Sequence, residues 1–202
     1  MKRPFRLIIL DRDGVINQDS DEYVKSVDEW IPLPGALEAI VRLKQAGWTV
    51  AVATNQSGIA RGLFSEDTLQ AMHEKMARQL AERGAHIDYI TWCPHGPDDG
   101  CDCRKPRPGL YQQIAQHFDC SLQNVPVVGD SARDLEAAVA VGARPVLVLT
   151  GKGARTRSQA DLPPGVAIFE TLSAAVPALL QQPSLNGLRA DQAAGDGDPR
   201  LS

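Results

Sequence analysis

Short apolar runs alternate with helix-period segments along most of this chain. Five runs are predicted to be β-strands: Leu7–Leu10, Thr49–Ala53, Ile87–Trp92, Val125–Val128 and Pro145–Leu149. Between them, the recurrence of apolar residues predicts four helices: Ala36–Gln45, Glu66–Arg83, Leu110–His117 and Ala132–Val141. Ser65 is a suitable N-cap for the second helix, and Gly84 a suitable stop. The alternation predicts an α/β fold, with a Rossmann-like, doubly wound, mainly parallel sheet covered by helices on both faces.

The spacing of these elements indicates one domain. Residues 15–34 form a long connection before the first helix, and loops of this length are uncommon and often functional lids. No second domain-sized segment separates the strands, so any cap over the sheet is minimal. Residues 1–182 are therefore predicted to be the domain. Pro183–Ser202 is rich in Gly, Asp, Ala and Pro, and is predicted to be a disordered tail.

Composition narrows the functional classes. The chain has 202 residues, is 43% hydrophobic and carries a formal net charge of −4, which argues against a general nucleic-acid or membrane-surface binder. No apolar run approaches the roughly 20 residues that a membrane helix needs. The basic start, Met1-Lys2-Arg3, precedes too short an apolar run for a secretion signal. We expect a cytoplasmic monomer with reduced cysteines.

Two carboxylates, Asp11 and Asp13, follow the first predicted strand, and Gly14 permits a bend directly after them. In such a pair, one carboxylate can act as a nucleophile while the other transfers protons. Asp-x-Asp-Gly also opens calcium loops, but there the glycine is sixth. Here Gly14 is fourth, and the other ligand positions of such a loop do not match.

A third carboxylate, Asp130, ends the fourth predicted strand, and Asp134 lies one helical turn beyond it. Ligands of parallel sheets bind beyond the carboxyl ends of the strands. We therefore expect Asp11, Asp13 and Asp130 to meet in a cluster that suits Mg²⁺, which prefers oxygen ligands. The alternative is that Asp130 or Ser131 only caps the next helix.

Two further segments offer groups that bind phosphate. Thr54-Asn55-Gln56-Ser57 follows the second strand and provides hydroxyls and amides, although such a sequence is more often a polar turn. Arg104 and Lys105 provide a guanidinium fork and a compact positive charge. An isolated Arg-Lys pair is usually solvated surface.

Three thiols and one imidazole lie within eleven residues, in the pattern C-x-H-x5-C-x-C formed by Cys93, His95, Cys101 and Cys103. This is a tetrahedral Zn²⁺ set, and four protein ligands leave no open position, so the metal is predicted to be structural. The loop ends directly before Arg104, so a metal that orders the loop would also position Arg104 and Lys105. Cys120 is predicted to be an ordinary free thiol. His73 and His117 are predicted to be surface residues of helices.

Together these elements resemble the haloacid dehalogenase superfamily of phosphotransferases. Its four motifs correspond to Ile8–Gly14, the strand ending at Thr54, Lys105, and Val127–Asp134. Residues 12–17, residues 54–62 and the Cys-His-Cys-Cys loop are similar to the zinc-loop, histidinol-phosphatase-like subgroup of that superfamily. A phosphorylatable receiver domain is a rival class, but it uses neither the second aspartate nor zinc. An inactive zinc-stapled binding module is a third.

The resemblance implies a Mg²⁺-dependent phosphatase with an aspartyl-phosphate intermediate. Asp11 would attack phosphorus, and Asp13 would act as general acid and then as general base. The side chains of Asp11 and Asp130 and the main-chain carbonyl of Asp13 would hold Mg²⁺. Thr54 and Lys105 would hold the transferring phosphoryl group. Asp134 would orient Lys105 or a metal-bound water.

The resemblance also implies a sugar bisphosphate substrate. The expected reaction removes the C7 phosphate of a heptose 1,7-bisphosphate, with the β anomer favoured, in the synthesis of nucleotide-activated heptose for lipopolysaccharide. The alternative substrate is histidinol phosphate. Relatives often carry a cation directly after the metal-binding aspartate, where this chain has Ser131. Expected substrate contacts are Asp19, Ser20, Asp21, Glu22, Thr54, Asn55, Gln56, Ser57, Arg104 and Lys105.

Overall fold

The computed structural model describes residues 5–181, which form six strands and six helices. The strands are β1 (Leu7–Leu10), β2 (Thr49–Asn55), β3 (Tyr89–Cys93), β4 (Pro126–Gly129), β5 (Arg144–Val148) and β6 (Ala167–Phe169). The helices are α1 (Ala36–Gln45), α2 (Glu66–Ala81), α3 (Gly109–Phe118), α4 (Ala132–Ala140), α5 (Gly153–Gln159) and α6 (Leu172–Leu180). The tail predicted at Pro183–Ser202 lies outside the described residues.

The six strands form one sheet in the order β3-β2-β1-β4-β5-β6, and every neighbouring pair is parallel. The chain runs outward from β1 to β3 on one side, and then returns to β4 on the other side of β1. The strand order therefore reverses between β1 and β4. Open α/β sheets bind ligands at such a reversal, beyond the carboxyl ends of the strands.

Alternate side chains of each strand enter two separate cores. In β1, Ile8 and Leu10 pack into one core, while Leu7 and Ile9 pack into the other. The first core is completed by apolar residues of α1, α2 and α6, and the second by residues of α3 and α4. Because both faces are covered, the strands are apolar on both sides, as expected for a parallel sheet.

The predicted α/β fold is confirmed, and each of the five predicted strands and four predicted helices is present within a few residues of its expected bounds. Ser65 caps α2 by accepting a hydrogen bond from the backbone N–H of Thr68 at 3.1 Å. Gly84 follows that helix with φ +73°. Three elements were not predicted: α5, β6 and α6.

Residues 11–35 connect β1 to α1, and this long segment contains only isolated β-bridges. It packs onto the sheet domain through Trp30 and Val24, both buried in the first core. Among the described residues, no helix has the length and apolar character needed to cross a membrane.

Candidate active site

A cavity of about 190 Å³ lies at the carboxyl ends of β1, β2 and β4. All but one of the predicted catalytic, magnesium and substrate positions line it: Asp11, Asp13, Asp19, Ser20, Asp21, Thr54, Asn55, Gln56, Ser57, Arg104, Lys105 and Asp130, together with Asp134. The exception is Glu22. Residues from four distant stretches of sequence thus meet in one place.

Three carboxylates form the floor of the cavity. Asp11, Asp130 and Asp134 each place one oxygen within 4.8 Å of the other two. The backbone N–H of Asp11 donates to the Val128 carbonyl at 2.9 Å, which fixes the end of β1 against β4. Gly14 has φ +80°, and a Cβ there would lie 2.1 Å from Asp130 Oδ2, so a glycine is required beside the cluster.

Lys105 is the cation of this cluster, and it is 2% exposed. Its Nζ lies 3.0 Å from Asp11 Oδ1 and 2.5 Å from Asp134 Oδ1, and donates to the Ala53 carbonyl at 2.8 Å. Burial acts to lower the pKa of Lys105, but the two carboxylates outweigh it and raise that pKa above its usual range, so the ammonium stays charged.

Asn55 fixes the backbone of Lys105 from the neighbouring strand β2. Its Nδ2 donates to the Lys105 carbonyl and its Oδ1 accepts from the Lys105 N–H, each at 3.1 Å. Both hydrogen-bonding ends of the Asn55 amide are therefore used to position the lysine.

One ammonium does not balance three carboxylates. Burial, followed by the charge of Asp134 among other neighbouring carboxylates, raises the pKa of Asp11 to about 7 and that of Asp130 to about 8. Lys105 opposes the shift at Asp11 only in part. A divalent cation bound by these oxygens would supply the missing positive charge, so the donor set fits Mg²⁺.

The side chain of Asp13 is held apart from that cluster. It accepts hydrogen bonds from Arg12 Nη2 at 3.0 Å, Asn17 Nδ2 at 2.8 Å and Gln56 Nε2 at 2.8 Å. Burial acts to raise the pKa of Asp13, but the charge of Arg12 and these hydrogen bonds lower it below its usual range. Asp13 is therefore a carboxylate in this conformation.

Gln56 connects the Asp13 network to Thr54. Its Nε2 also lies 2.8 Å from Thr54 Oγ1, and its Oε1 accepts from Arg12 Nη2 at 3.2 Å. Thr54 and Gln56 are both almost fully buried, so the turn after β2 is a fixed part of the site.

The loop after β1 brings Asp19, Ser20 and Asp21 to the cavity. Lys152 holds this loop, since its Nζ lies 2.6 Å from Asp19 Oδ2. The backbone N–H of Lys152 also donates to Asp130 Oδ2 at 2.7 Å. Lys152 was not predicted from the sequence, because it belongs to the start of the unpredicted α5.

Glu22 is the one expected substrate contact that does not line the cavity in this conformation. Its side chain is exposed instead. The cause is a turn, in which the N–H of Tyr23 donates to the Ser20 carbonyl and that of Glu22 donates to Ser20 Oγ. The turn leaves Glu22 exposed, while Tyr23 lines the cavity.

Sequence reasoning missed two buried residues behind Asp13. Arg12 is fully buried, and its Nη1 lies 3.4 Å from Nε2 of His73, which is 4% exposed. The prediction that His73 is a surface residue is therefore wrong, whereas His117 is exposed. The helical spacing contained the signal, since His73 lies four residues after Leu69 and three before Met76, on the buried face of α2.

The four predicted zinc ligands also come together. Cys93 Sγ lies 3.6 Å from both His95 Nδ1 and Cys101 Sγ, and His95 Nδ1 lies 3.2 Å from Cys103 Sγ. A tetrahedron with metal–ligand bonds of about 2.0–2.3 Å has edges of about 3.3–3.8 Å, so the spacing fits Zn²⁺. Burial raises the pKa of the Cys93 thiol to about 12, and a bound cation would favour the thiolate.

The fold and the site define a class. A doubly wound parallel sheet whose central strand ends in Asp11-x-Asp13, with Thr54, Lys105 and Asp130 around one cavity, is the arrangement of haloacid dehalogenase-type phosphatases. A family model described as HAD-hydrolase-like matches residues 102–175.

Curated relatives narrow this class. The chain is 60% identical to D-glycero-beta-D-manno-heptose-1,7-bisphosphate 7-phosphatase of Bordetella bronchiseptica, over 88% of this chain and 99% of the relative. It is 59% identical to the Pseudomonas aeruginosa enzyme of the same name, over 87% and 98% of the two chains. The chain therefore belongs to the D-glycero-β-D-manno-heptose-1,7-bisphosphate 7-phosphatase family.

Solved structures agree with that assignment. The crystal structure of D,D-heptose 1,7-bisphosphate phosphatase from B. bronchiseptica, complexed with magnesium and phosphate, superposes with a TM-score of 0.86 at 60% identity and covers 88% of this chain and 99% of that one. The corresponding structure from Burkholderia thailandensis has a TM-score of 0.71 at 46% identity, with the same coverage.

Proposed function

We propose that this protein is a Mg²⁺-dependent phosphatase that removes the C7 phosphate of D-glycero-β-D-manno-heptose 1,7-bisphosphate, in the synthesis of nucleotide-activated heptose for lipopolysaccharide. One observation carries the proposal. Asp11, Asp13, Thr54, Lys105 and Asp130 line a single cavity in a chain 60% identical to a phosphatase named for this substrate. The names of the relatives support the β anomer.

In the first step, an oxygen of Asp11 would bond to phosphorus as the bond between phosphorus and the C7 oxygen breaks. Asp13 would give its proton to that leaving oxygen. Its pKa is low in this conformation, but the negative charge of an arriving phosphate would raise it. Lys105, 3.0 Å from Asp11, would stabilise charge on the transferring phosphoryl oxygens together with Thr54.

In the second step, Asp13 would accept a proton from water as the water attacks the phosphorus of the aspartyl-phosphate. The bond to Asp11 would break, which restores the carboxylate and releases inorganic phosphate. Arg12, Asn17 and Gln56 would hold Asp13 in place for this step, since all three donate to its carboxylate.

The two metals would have separate roles. The side chains of Asp11 and Asp130 and the carbonyl of Asp13 would hold Mg²⁺, which supplies positive charge for the phosphoryl group when bound. Asp134 would position Lys105 from 2.5 Å away. Zn²⁺ on Cys93, His95, Cys101 and Cys103 would be structural, because the protein fills all four positions.

The alternative substrate, histidinol phosphate, has no observation in its favour. The curated relatives are named for a heptose bisphosphate.

We further infer that the protein is a monomer, because the cap over the sheet is minimal. The net charge of −4 argues against general binding to nucleic acid or membranes, and we infer a cytoplasmic location.

The test is phosphate release, with Mg²⁺ present, from both heptose 1,7-bisphosphate anomers and from histidinol phosphate in parallel. We expect the highest kcat/KM on the β bisphosphate, with one phosphate released per sugar. A higher kcat/KM on histidinol phosphate would overturn the proposed substrate while leaving the phosphatase mechanism intact.

The nucleophile has its own test. Asp11→Asn should abolish turnover, because an amide is a poor nucleophile, and it should no longer gain the mass of a phosphoryl group when turnover is quenched with acid. Asp28→Asn is the matched control, since Asp28 is exposed and lies outside the cavity. Substantial turnover by Asp11→Asn would refute the assignment.

A further inference from the structure

We propose that Arg133, together with Arg104, binds the phosphate that the enzyme does not cleave, and that Arg133 makes the site selective for a sugar bisphosphate over a sugar monophosphate. This inference rests on the proposed function and deepens it. Arg133 stands three residues after Asp130, and nothing in the sequence singled it out.

The position of the two arginines is the first observation. Both line the active-site cavity, and both also line a second cavity, of about 290 Å³, beside the zinc loop. They therefore stand at the boundary between the two cavities. A group bound in the active site would reach them on the side that faces the zinc loop.

The second observation is that, in the described part of the chain, no carboxylate is paired with either arginine. The other cations of the active-site cavity are paired with carboxylates: Lys105 with Asp11 and Asp134, and Lys152 with Asp19. Within residues 5–181, neither arginine forms an ion pair with a carboxylate. Arg104 donates to the carbonyl of His95 at 3.2 Å, which is a neutral acceptor.

The two guanidinium groups carry the same charge and line the same two cavities. Like charges held near each other without a counterion are unfavourable, and an anion between them would remove the repulsion. A phosphate dianion is a suitable counterion, because guanidinium forks match its oxygens.

Ser131, the residue directly after Asp130, is already engaged. Its hydroxyl donates to Asp134 Oδ2 at 2.7 Å, and its backbone N–H donates to the same oxygen at 3.1 Å. These bonds fix the start of α4 and leave Arg133, in the first turn of that helix, as its exposed cation.

The charges of the cavity then match a ligand with two phosphates. One phosphate would lie at Lys105 and the magnesium ligands, and the other at Arg104 and Arg133. Asp19 and Ser20 line the same cavity and can accept hydrogen bonds from sugar hydroxyls. A monophosphate would leave the two arginines without an anion.

The experiment compares Arg133→Ala and Arg133→Lys with wild type on heptose 1,7-bisphosphate and on heptose 7-phosphate. We expect Arg133→Ala to lower kcat/KM on the bisphosphate about 10- to 100-fold, mainly by raising KM, as for lost charge-assisted hydrogen bonds. On the monophosphate, kcat/KM should change less than about twofold, because no phosphate would contact Arg133. Arg133→Lys should be intermediate on the bisphosphate.

The matched control is Arg78→Ala, since Arg78 is also an exposed helical arginine but lies in α2, outside these cavities. It should behave as wild type. If wild type does not prefer the bisphosphate, the proposed function itself fails. If wild type prefers it and Arg133→Ala keeps that preference, only the role of Arg133 is wrong. An equal loss of kcat/KM on both substrates would show that Arg133 has only a structural role, and would also overturn the inference.

Discussion

At the scale of single residues, the site contains a buried cation, Arg12, whose guanidinium pairs with Asp13. Arg12 is fully buried and donates to both oxygens of Asp13 and to Oε1 of Gln56. An unpaired guanidinium in this position would be costly, so Asp13 and Arg12 hold each other in place. Asp13, the proposed proton-transfer group, is thereby held in place by its neighbours.

His73 completes this network and gives it a pH dependence. Burial, and next the charge of Arg12, lower the pKa of His73 from 6.5 to about 4. The folded state then binds fewer protons than the unfolded state between these values. The free energy of unfolding should therefore fall as pH decreases from 6.5 towards 4, by up to about 3 kcal/mol from this residue.

His73→Gln should remove that pH dependence, because Gln does not titrate. Chemical denaturation of wild type and variant at several pH values between about 4 and 7 measures the difference, and the comparison at each pH cancels the shared contribution of the carboxylates. The stability lost on acidification should be smaller in the variant. His117→Gln is the matched control, since His117 is an exposed helical histidine. Parallel curves for His73→Gln and wild type would contradict the assignment.

Residue positions were predictable where a strand ends. Asp11, Thr54 and Asp130 follow apolar runs, and parallel strands bring their carboxyl ends to one edge. Arg133 and Lys152 were not predictable in this way. Their proximity to the cavity depends on how α4 and the start of α5 lie against the sheet, which local sequence does not specify.

At the scale of elements, the zinc loop connects β3 to Lys105. Cys93 is the last residue of β3, and Lys105 follows Cys103 by two residues. The loop contains several glycine and proline residues and little apolar mass to bury. A metal tetrahedron can order such a segment, because structural zinc sites contribute roughly 10–16 kcal/mol in small peptides.

Cys101→Ser should therefore reduce both zinc content and activity. Removing one thiolate should release Zn²⁺, let the segment before Lys105 move, and lower kcat without any change to a group that contacts the reacting phosphate. Metal analysis, together with hydrogen exchange over residues 94–107, measures the two effects. Cys120→Ser is the control, since Cys120 is outside the Cys-His cluster. Full activity in a zinc-free Cys101→Ser protein would show that the loop does not position Lys105.

Elements with a clear periodicity of apolar residues were predictable from the sequence, and the other elements were not. The helix α2 has a capping serine and a regular apolar stripe, so its start at Glu66 was correct. In contrast, β6 has three residues, α5 has seven mostly polar residues, and α6 carries Pro177 within it. Such segments are formed by packing against the sheet rather than by their own pattern.

At the scale of the whole molecule, the strand order determines where charge accumulates. The central position of β1, between β2 and β4, brings Asp11 beside Asp130 and opposite the loop that carries Lys105. The chain therefore folds around a group of carboxylates that repel one another. In the absence of a divalent cation, either some of these carboxylates are protonated in the folded protein, or their repulsion destabilises it.

This repulsion makes the benefit of Mg²⁺ depend on pH. The pKa values of Asp11 and Asp130 are raised from 3.8 to about 7 and about 8 in the folded protein. The folded state thus holds protons that the unfolded state has released, so the metal-free protein should lose stability as pH rises from about 4 to about 8. Mg²⁺ binds the deprotonated carboxylates, and its stabilisation should grow over the same range.

Thermal unfolding with and without Mg²⁺, at about pH 5.5 and about pH 8.5, measures this effect. Protein freed of Mg²⁺ by gel filtration without a chelator keeps the zinc site out of the comparison. We expect a larger rise in Tm on adding Mg²⁺ at the higher pH. Asp130→Asn, which removes one of the repelling charges, should make the metal-free protein less sensitive to pH and should abolish most of the response to Mg²⁺. An equal rise in Tm at both pH values would contradict this account, because it would mean that the carboxylates are already ionised in the metal-free protein at the lower pH.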